Sequence, residues 1–206
     1  MTGVVSRAGL PALAVVLVAG VLGVQLANGG GDFEPLQPAY PCVARPVTSQ
    51  AEGIDGLTEQ LVLLGVDGAA CRLDVSREAL TLELAQTDDP TDAQVDALRA
   101  GLHDAVDRMS EEGTLPKASE LTDEALDDAD LNGFLKGAIR ALPGSVVDAA
   151  VKTDDVLHRT IDDLDLREML ANLDDPAALD RMVEPAVTEA VRNSLVDRLK
   201  DLVPGF

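Results

Sequence analysis

Residues 91–113 read TDAQVDALRAGLHDAVDRMSEEG and carry the clearest helix signal in the chain. Thr91 and Gln94 have the spacing of a capping box, in which each side chain accepts a hydrogen bond from the other residue's backbone N–H. Gly113 stands where a left-handed residue commonly ends a helix. Between these ends the apolar residues recur at helical spacing: Val95, Leu98, Leu102, Val106 and Met109. The stretch predicts an amphipathic helix that buries this face.

The segments before this helix also predict helices. The expected elements are a short helix over 56–64, a second over 67–73, a turn at Asp74-Val75, and a third helix over 76–86 with Ser76 at its start. Leu80, Leu82 and Leu84 alternate with polar residues, a pattern that also fits a strand. No partner strand is evident nearby.

The segments after it continue the helical pattern. An apolar stripe occupies helical spacing and is closed by Pro143-Gly144: Leu131, Phe134, Leu135, Ala138, Ile139 and Leu142. Further helix starts are expected at Ser145 with Asp148, around Val156, at Asp165 with Glu168, and at Asp175 before Pro176. A last helix is expected from Glu184 or Pro185 to Val203, with an inward face formed by Val187, Val191, Leu195, Leu199 and Leu202.

The composition limits how this helical body is built. The chain has 206 residues, 46% of them apolar, but only three Phe, one Tyr and no Trp. The core must therefore consist of Leu, Val, Ile and Ala, and stacking platforms for bases or sugars are nearly absent. The predicted fold class is all-α: a compact bundle or orthogonal array of short amphipathic helices after one N-terminal transmembrane helix.

The N-terminal part carries that transmembrane prediction. Residues 8–27 form an uncharged, mainly apolar run of 20 residues, which as a helix would span about 30 Å, enough for the hydrocarbon core of a bilayer. An uncleaved signal anchor is favoured over a cleaved signal peptide, since the small residues of a cleavage site are poorly placed; a buried soluble helix is the third interpretation. The predicted organisation is a signal anchor or signal peptide over 1–27, a Gly/Pro-rich linker over 28–46, and an acidic helical domain over 47–206.

Cations and cysteines predict on which side of the membrane the domain lies. Arg7 precedes the apolar run and the next cation is Arg45, which favours a cytoplasmic N-terminus and an exported body. Cys42 and Cys71 are the only cysteines, and an even count in an exported chain indicates a disulfide. We therefore expect a single-pass membrane protein with its C-terminal domain outside the cytoplasm, or a secreted one. Two buried thiols in a reducing compartment are the alternative.

The charge excludes one class of partner. With 37 Asp and Glu against 16 Lys and Arg, the net charge is −21, which repels the phosphate backbone of nucleic acids. Neighbouring carboxylates such as Asp162-Asp163 and Asp174-Asp175 lie at helix starts and in loops, as solvated residues do. No phosphate-binding glycine loop, nucleophile elbow or paired-cysteine metal site occurs. The sequence thus predicts no catalytic residues, no cofactor and no nucleic-acid partner.

One acidic stretch has the spacing of metal ligands. Residues 128–133 read DADLNG, and Asp128, Asp130 and Asn132 would be the first, third and fifth ligands of a calcium loop with Gly133 at the sixth position. The stretch resembles the first half of an EF-hand loop. The twelfth position is Ile139 rather than the usual Glu, so an acidic helix start capped by Asp130 is the favoured interpretation. Asp128, Asp130 and Asn132 are the candidate metal ligands.

A second short stretch is similar to the middle of a helix-turn-helix. Residues 69–80 place small residues on a first helix, a tight turn, and Ser76 as the cap of a second helix that begins with Arg77. Asp74 stands where the turn usually carries Gly, and few cations surround the segment. A packing corner in a helical domain is favoured over DNA binding.

His103 and His158 are the only histidines of the chain. Neither lies in a two-histidine metal motif, and Asp104 and Asp107 accompany His103 along its helix. We expect a surface ion pair at His103 rather than a metal ligand.

These observations predict a non-catalytic interaction module that is anchored to the membrane by its N-terminal helix or secreted. Its partner would be an envelope protein, a cation or a lipid. The alternatives are a calcium-responsive envelope domain that uses the acidic loop and, further, a cytoplasmic regulatory protein of helix-turn-helix type. An enzyme with an unrecognised site would require a cleft that contains buried carboxylates or His103.

Overall fold

The computed structural model describes residues 40–43, 45, 47, 51–87, 89–128 and 132–202. This part of the chain contains nine helices and no strand. They are α1 (Gly53–Leu73), α2 (Arg77–Gln86), α3 (Asp92–Glu112), α4 (Ala118–Asp128), α5 (Gly133–Arg140), α6 (Gly144–Ala150), α7 (Thr153–Asp163), α8 (Leu166–Leu170) and α9 (Pro176–Leu202). The all-α prediction is confirmed for the described residues. The apolar run 8–27 and most of the linker lie outside them, and no helix within them is long and apolar enough to span a bilayer.

The centre of the fold is the packing of α1 against α3. Glycines allow the two backbones to approach closely: a Cβ built on Gly101 would lie 2.3 Å from the carbonyl oxygen of Gly65, and one on Gly68 would lie 3.0 Å from the Cα of Gly101. Any side chain at Gly101 would therefore force the helices apart. The sequence prediction of two helices over 56–64 and 67–73 was wrong, because α1 is one continuous helix that passes through Gly65.

Apolar side chains fill two connected parts of the core. One lies where α1, α2, α3, α7 and α8 meet: Ala69, Ala70, Leu80, Leu84, Ala97, Leu98, Leu102, Val106, Ile161, Leu166 and Leu170. The other lies between the first half of α1 and the second half of α3: Leu57, Leu64, Ala105 and Met109. As the composition requires, neither contains an aromatic residue.

Helix α2 resolves the ambiguity between helix and strand. Ser76 caps it by accepting a hydrogen bond from the backbone N–H of Ala79 at 3.1 Å. Leu80 and Leu84 are buried one turn apart, whereas Leu82 is 59% exposed. The helical period thus explains which leucines are buried, and the strand alternative was wrong.

The capping box predicted at the start of α3 is present. Thr91 Oγ1 accepts from the backbone N–H of Gln94 at 3.3 Å, and Gln94 Oε1 accepts from the backbone N–H of Thr91 at 2.8 Å. At the other end Gly113 adopts the left-handed conformation, with φ 69°. Both ends of the central helix are therefore specified by local sequence.

Thr91→Ala is expected to lower the free energy of unfolding by about 1 kcal/mol, because the hydroxyl that bonds both the backbone N–H and the side chain of Gln94 is removed. Thr81→Ala is the matched control, since Thr81 lies exposed on α2 and its replacement should change the free energy by less than about 0.5 kcal/mol. Urea unfolding of both variants measures the difference. Equal stabilities would contradict a stabilising role for the box.

Helices α4 and α6 differ from the sequence prediction. No helix was predicted over 118–128, because its apolar residues are few, yet α4 supplies a distant cap: Glu124 accepts from the backbone N–H of Ile54 at the start of α1, at 2.9 Å. Asp148 was predicted to pair with Ser145 at a helix start. It instead accepts from the backbone N–H of Ser119 in the first turn of α4, at 2.9 Å, and this bond lowers the pKa of its carboxyl.

Helices α7 and α9 form the other half of the body. Asp175 accepts from the backbone N–H of Ala178 at 3.0 Å and starts α9, which continues through Pro185 instead of beginning there. The buried face of α9 consists of small residues one turn apart: Ala186, Ala190 and Ser194. Val187, predicted to point inward, is 37% exposed. Small residues let α9 lie close to α7, which the prediction from bulky residues did not anticipate.

The segment before α1 is fastened to the body. Cys42 and Cys71 lie at disulfide distance, with their sulfur atoms 1.92 Å apart and their Cα atoms 4.8 Å apart. Arg45 binds Glu78 of α2 at 2.9 Å, and Val47 packs against the core between α1 and α3. The end of the predicted linker is thus held against α1 and α2.

Candidate functional site

The two histidines meet between α3 and α7. The Nδ1 atoms of His103 and His158 are 2.6 Å apart, and the ring planes are inclined by only 12°. Because the ring planes are nearly parallel, the separation between them can be no larger than the 2.6 Å between the two nitrogens. Stacked aromatic rings lie further apart than that. The rings therefore meet at their nitrogen edges, in the geometry of an N–H···N hydrogen bond.

A carboxylate binds the outer nitrogen of each ring. His103 Nε2 lies 3.0 Å from Oδ1 of Asp162 on α7, and His158 Nε2 lies 3.0 Å from Oδ1 of Asp107 on α3. We call these four residues the His–Asp cluster. Each helix contributes one histidine and one aspartate, and each histidine reaches the aspartate of the other helix.

The spacing of the sequence produces this reciprocal arrangement. His103 and Asp107 are four residues apart, as are His158 and Asp162, so each pair occupies one face of its helix. When two such faces pack against each other, histidine meets histidine in the middle and an aspartate lies at either end. The repeated spacing of His and Asp was visible in the sequence. The ion pair expected at the surface near His103 is present, but its carboxylate partner is Asp162 of α7 rather than Asp104 or Asp107 of its own helix.

Arg99 fixes the same contact one turn earlier on α3. Its guanidinium donates to the backbone carbonyls of Ile161, Asp162 and Leu164, which end α7; the bond to Leu164 is 2.9 Å long. These carbonyls lack partners within their own helix, and a cation at this end also interacts favourably with the helix dipole. The His–Asp cluster therefore lies beside a second set of hydrogen bonds that joins α3 to the end of α7.

The cluster lies at the surface rather than in a cleft. The side chains of His103 and His158 are 26% and 31% exposed, and those of Asp162 and Asp107 are 65% and 66% exposed. A shallow open cleft lies elsewhere, lined by residues that include Lys117, Asp148 and Lys152. Neither histidine contributes to it. All four side chains of the cluster are accessible to solvent.

Helix α5 forms a second candidate site, an apolar surface. Its polar side faces α4, where Arg140 pairs with Asp123 and Asp127, and Lys136 donates to the backbone carbonyl of Asp127 at 3.3 Å. Two of its apolar residues are exposed to solvent: Phe134 is 89% exposed and Leu142, just beyond the helix, is 48% exposed, whereas Ile139 is half-buried. Val146 on α6, four residues after Leu142 in the sequence, is 47% exposed. We call Phe134, Leu142 and Val146 the α5–α6 face.

The candidate calcium ligands are Asp128, Asp130 and Asn132. Asp130 lies outside the described residues, as does the side chain of Asp128, and Asn132 lies exposed before α5. Within the described part of the chain, no three side chains of His, Cys, Asp or Glu are grouped so as to hold a metal ion.

The helix-turn-helix-like stretch forms the corner between α1 and α2. Asp74 adopts the left-handed conformation, with φ 54°, and so makes the turn that Gly usually makes in the motif. The two arginines of this corner already have anionic partners: Arg77 lies 3.5 Å from Asp67, and Arg72 lies 2.5 Å from Asp104. The corner thus offers few cations for binding phosphates.

Comparisons of the chain with protein-family models, with curated proteins and with solved structures found no match.

Proposed function

We propose that the chain is a non-catalytic interaction module at the outer face of a membrane. Its N-terminal apolar segment holds it there, or cleavage releases it. It binds an envelope protein through the α5–α6 face. The observation that carries the proposal is the orientation of α5. A helix that turns its cations toward its own domain and exposes Phe134 leaves apolar surface out of the core, as binding surfaces do.

The charges around this face favour a protein partner over a lipid surface. Arg140 is engaged with Asp123 and Asp127, so it is not available for lipid phosphates. The net charge of −21 opposes approach to an anionic bilayer. An apolar surface of a protein is the occupant that matches Phe134 and its neighbours.

The Cys42–Cys71 pair supports an exported location, because disulfides persist in oxidising compartments. We expect an impermeant thiol reagent to label the chain in intact cells only after reduction. Labelling of free thiols that requires lysis would place the domain in the cytoplasm, where the helix-turn-helix alternative would replace the proposal.

A photo-reactive amino acid at position 134 in the full chain, expressed in its native envelope, tests the face itself. We expect cross-links to a protein at this position, since Phe134 is 89% exposed. Leu82 is the matched control, because it is apolar and 59% exposed but lies on α2.

Equal cross-linking at positions 134 and 82, or cross-links to lipid alone, would contradict the proposal. Phe134→Ser should abolish co-purification of the cross-linked protein, whereas Leu82→Ser should retain it. Calcium is the competing ligand from the sequence. A melting temperature that rises with calcium in wild type but not in Asp128→Asn would favour the calcium-responsive alternative.

A further inference from the structure

The hydrogen bonds of the His–Asp cluster determine how many protons it holds. An ionised carboxylate only accepts hydrogen bonds, so each histidine must carry a proton on the Nε2 that faces Asp162 or Asp107. In a neutral imidazole the other nitrogen is then an unprotonated acceptor. Two neutral rings would thus place two lone pairs against each other across 2.6 Å.

One additional proton resolves this conflict. We propose that His103 and His158 bind a single proton between their Nδ1 atoms, which makes the pair an imidazole–imidazolium cation and makes the attachment of α7 to α3 depend on pH. A distance of 2.6 Å suits a charge-assisted hydrogen bond. A metal ion does not fit this geometry, because zinc bound at about 2.0 Å from each of two nitrogens in tetrahedral geometry needs them further apart.

The surrounding charges favour a cation at this position. Asp107 and Asp162 flank the pair, and Arg99 is the cation on α3 that faces the end of α7. Charged groups on the neighbouring helices have partners of their own: Arg72 of α1 binds Asp104, Arg167 of α8 binds Asp92, and Asp197 of α9 binds Arg159. The pair therefore adds one positive charge between two carboxylates.

The proton count predicts a maximum of stability. Unfolded histidines titrate near pH 6.5. Well below that pH the unfolded chain carries four imidazole protons and the folded pair three, so stability rises with pH. Well above it the unfolded chain carries two and the folded pair still three, so stability falls as pH rises.

Other groups contribute little between pH 5 and 9. Carboxylates ordinarily titrate near pH 4. Hydrogen bonds from Lys200 and Arg159 lower the pKa of Asp197, and the backbone N–H of Ser119 lowers that of Asp148, so both stay ionised throughout this range. The histidines thus dominate the pH dependence of stability in this range.

His158→Asn is designed to keep a hydrogen bond between α7 and α3 while removing the shared proton. The amide places an uncharged N–H donor opposite His103 Nδ1, so no extra proton is needed. Urea unfolding of the full chain in nonionic detergent, from pH 5 to 9, compares this variant with wild type. Above pH 7 we expect the folding equilibrium constant of wild type to fall, relative to the variant, by up to about tenfold per pH unit.

Glu111→Gln is the control, because Glu111 is exposed on α3 and its replacement changes the charge without touching the cluster; it should keep the wild-type profile. The proposal is overturned if wild type and His158→Asn have parallel profiles.

NMR of wild type tests the proton directly, even where the variant fails to fold. His103 and His158 are the only histidines, so a chain labelled with ¹⁵N-histidine gives only four imidazole nitrogen signals. We expect one strongly deshielded proton coupled to both Nδ1 nitrogens near pH 6.5. Two rings that titrate independently would contradict the shared proton. Chelator-reversible shifts of both Nδ1 signals on addition of zinc, with no bridging proton in the metal-free chain, would replace it with a metal site.

Discussion

Gly101→Ala is expected to lower the free energy of unfolding by about 3 kcal/mol, at the upper end of the range for overpacked cores. The added Cβ would lie 2.3 Å from the carbonyl oxygen of Gly65 and 2.7 Å from the backbone nitrogen of Ala69. Both are backbone atoms of α1, so neither can turn aside as a side chain can. Relief requires a shift of α1 away from α3, which would loosen both parts of the core.

Gly137→Ala is the matched control, since Gly137 is also a glycine within a helix. A Cβ at Gly137 meets no atom within 4 Å. The replacement therefore changes stability only through the higher helix propensity of Ala, and it should stabilise α5 by up to about 1 kcal/mol. Urea unfolding of the two variants gives the comparison. If Gly101→Ala is as stable as wild type, the close approach of α1 and α3 is wrong.

These glycines also explain a limit of sequence prediction in this chain. Gly65 lowers local helix propensity and falls in the predicted break between Leu64 and Asp67. In the structure Gly68 lies against Gly101, 33 residues away in the numbering of the chain, and packing overrides propensity. By contrast, Thr91 with Gln94, Ser76, and Asp165 with Glu168 were predicted correctly, because each of these capping bonds joins residues within one turn.

The candidate sites show the same division between local and tertiary information. The stripe that includes Phe134 and Leu142 was visible as helical spacing, but spacing does not reveal whether a neighbouring helix covers it. The His–Asp spacing was likewise visible twice. That His103 meets His158 depends on how α3 and α7 align, which neither helix encodes alone. The sequence thus contains the spacing that both sites use, and the packing of distant helices determines which residues meet.

Replacing both cysteines, in Cys42→Ser/Cys71→Ser, is expected to lower the free energy of unfolding by about 3–4 kcal/mol. The two residues are separated by 29 positions, and a crosslink over such a loop removes conformational freedom from the unfolded chain. In the folded state the link also holds Cys42 against α1, near Arg45, which reaches Glu78, and Val47, which reaches the core. Without it, these contacts must be formed by a segment attached at one end only.

Urea unfolding with and without dithiothreitol separates the crosslink from the serine substitutions. Reduced wild type should match the double variant, and reductant should leave the double variant unchanged, since it has no other cysteine. If dithiothreitol does not change the urea unfolding of wild type, Cys42 and Cys71 are not linked. That outcome would also remove the main support for an exported domain, because thiols that stay reduced are typical of the cytoplasm. The stability measurement therefore bears on both the fold and the location of the chain.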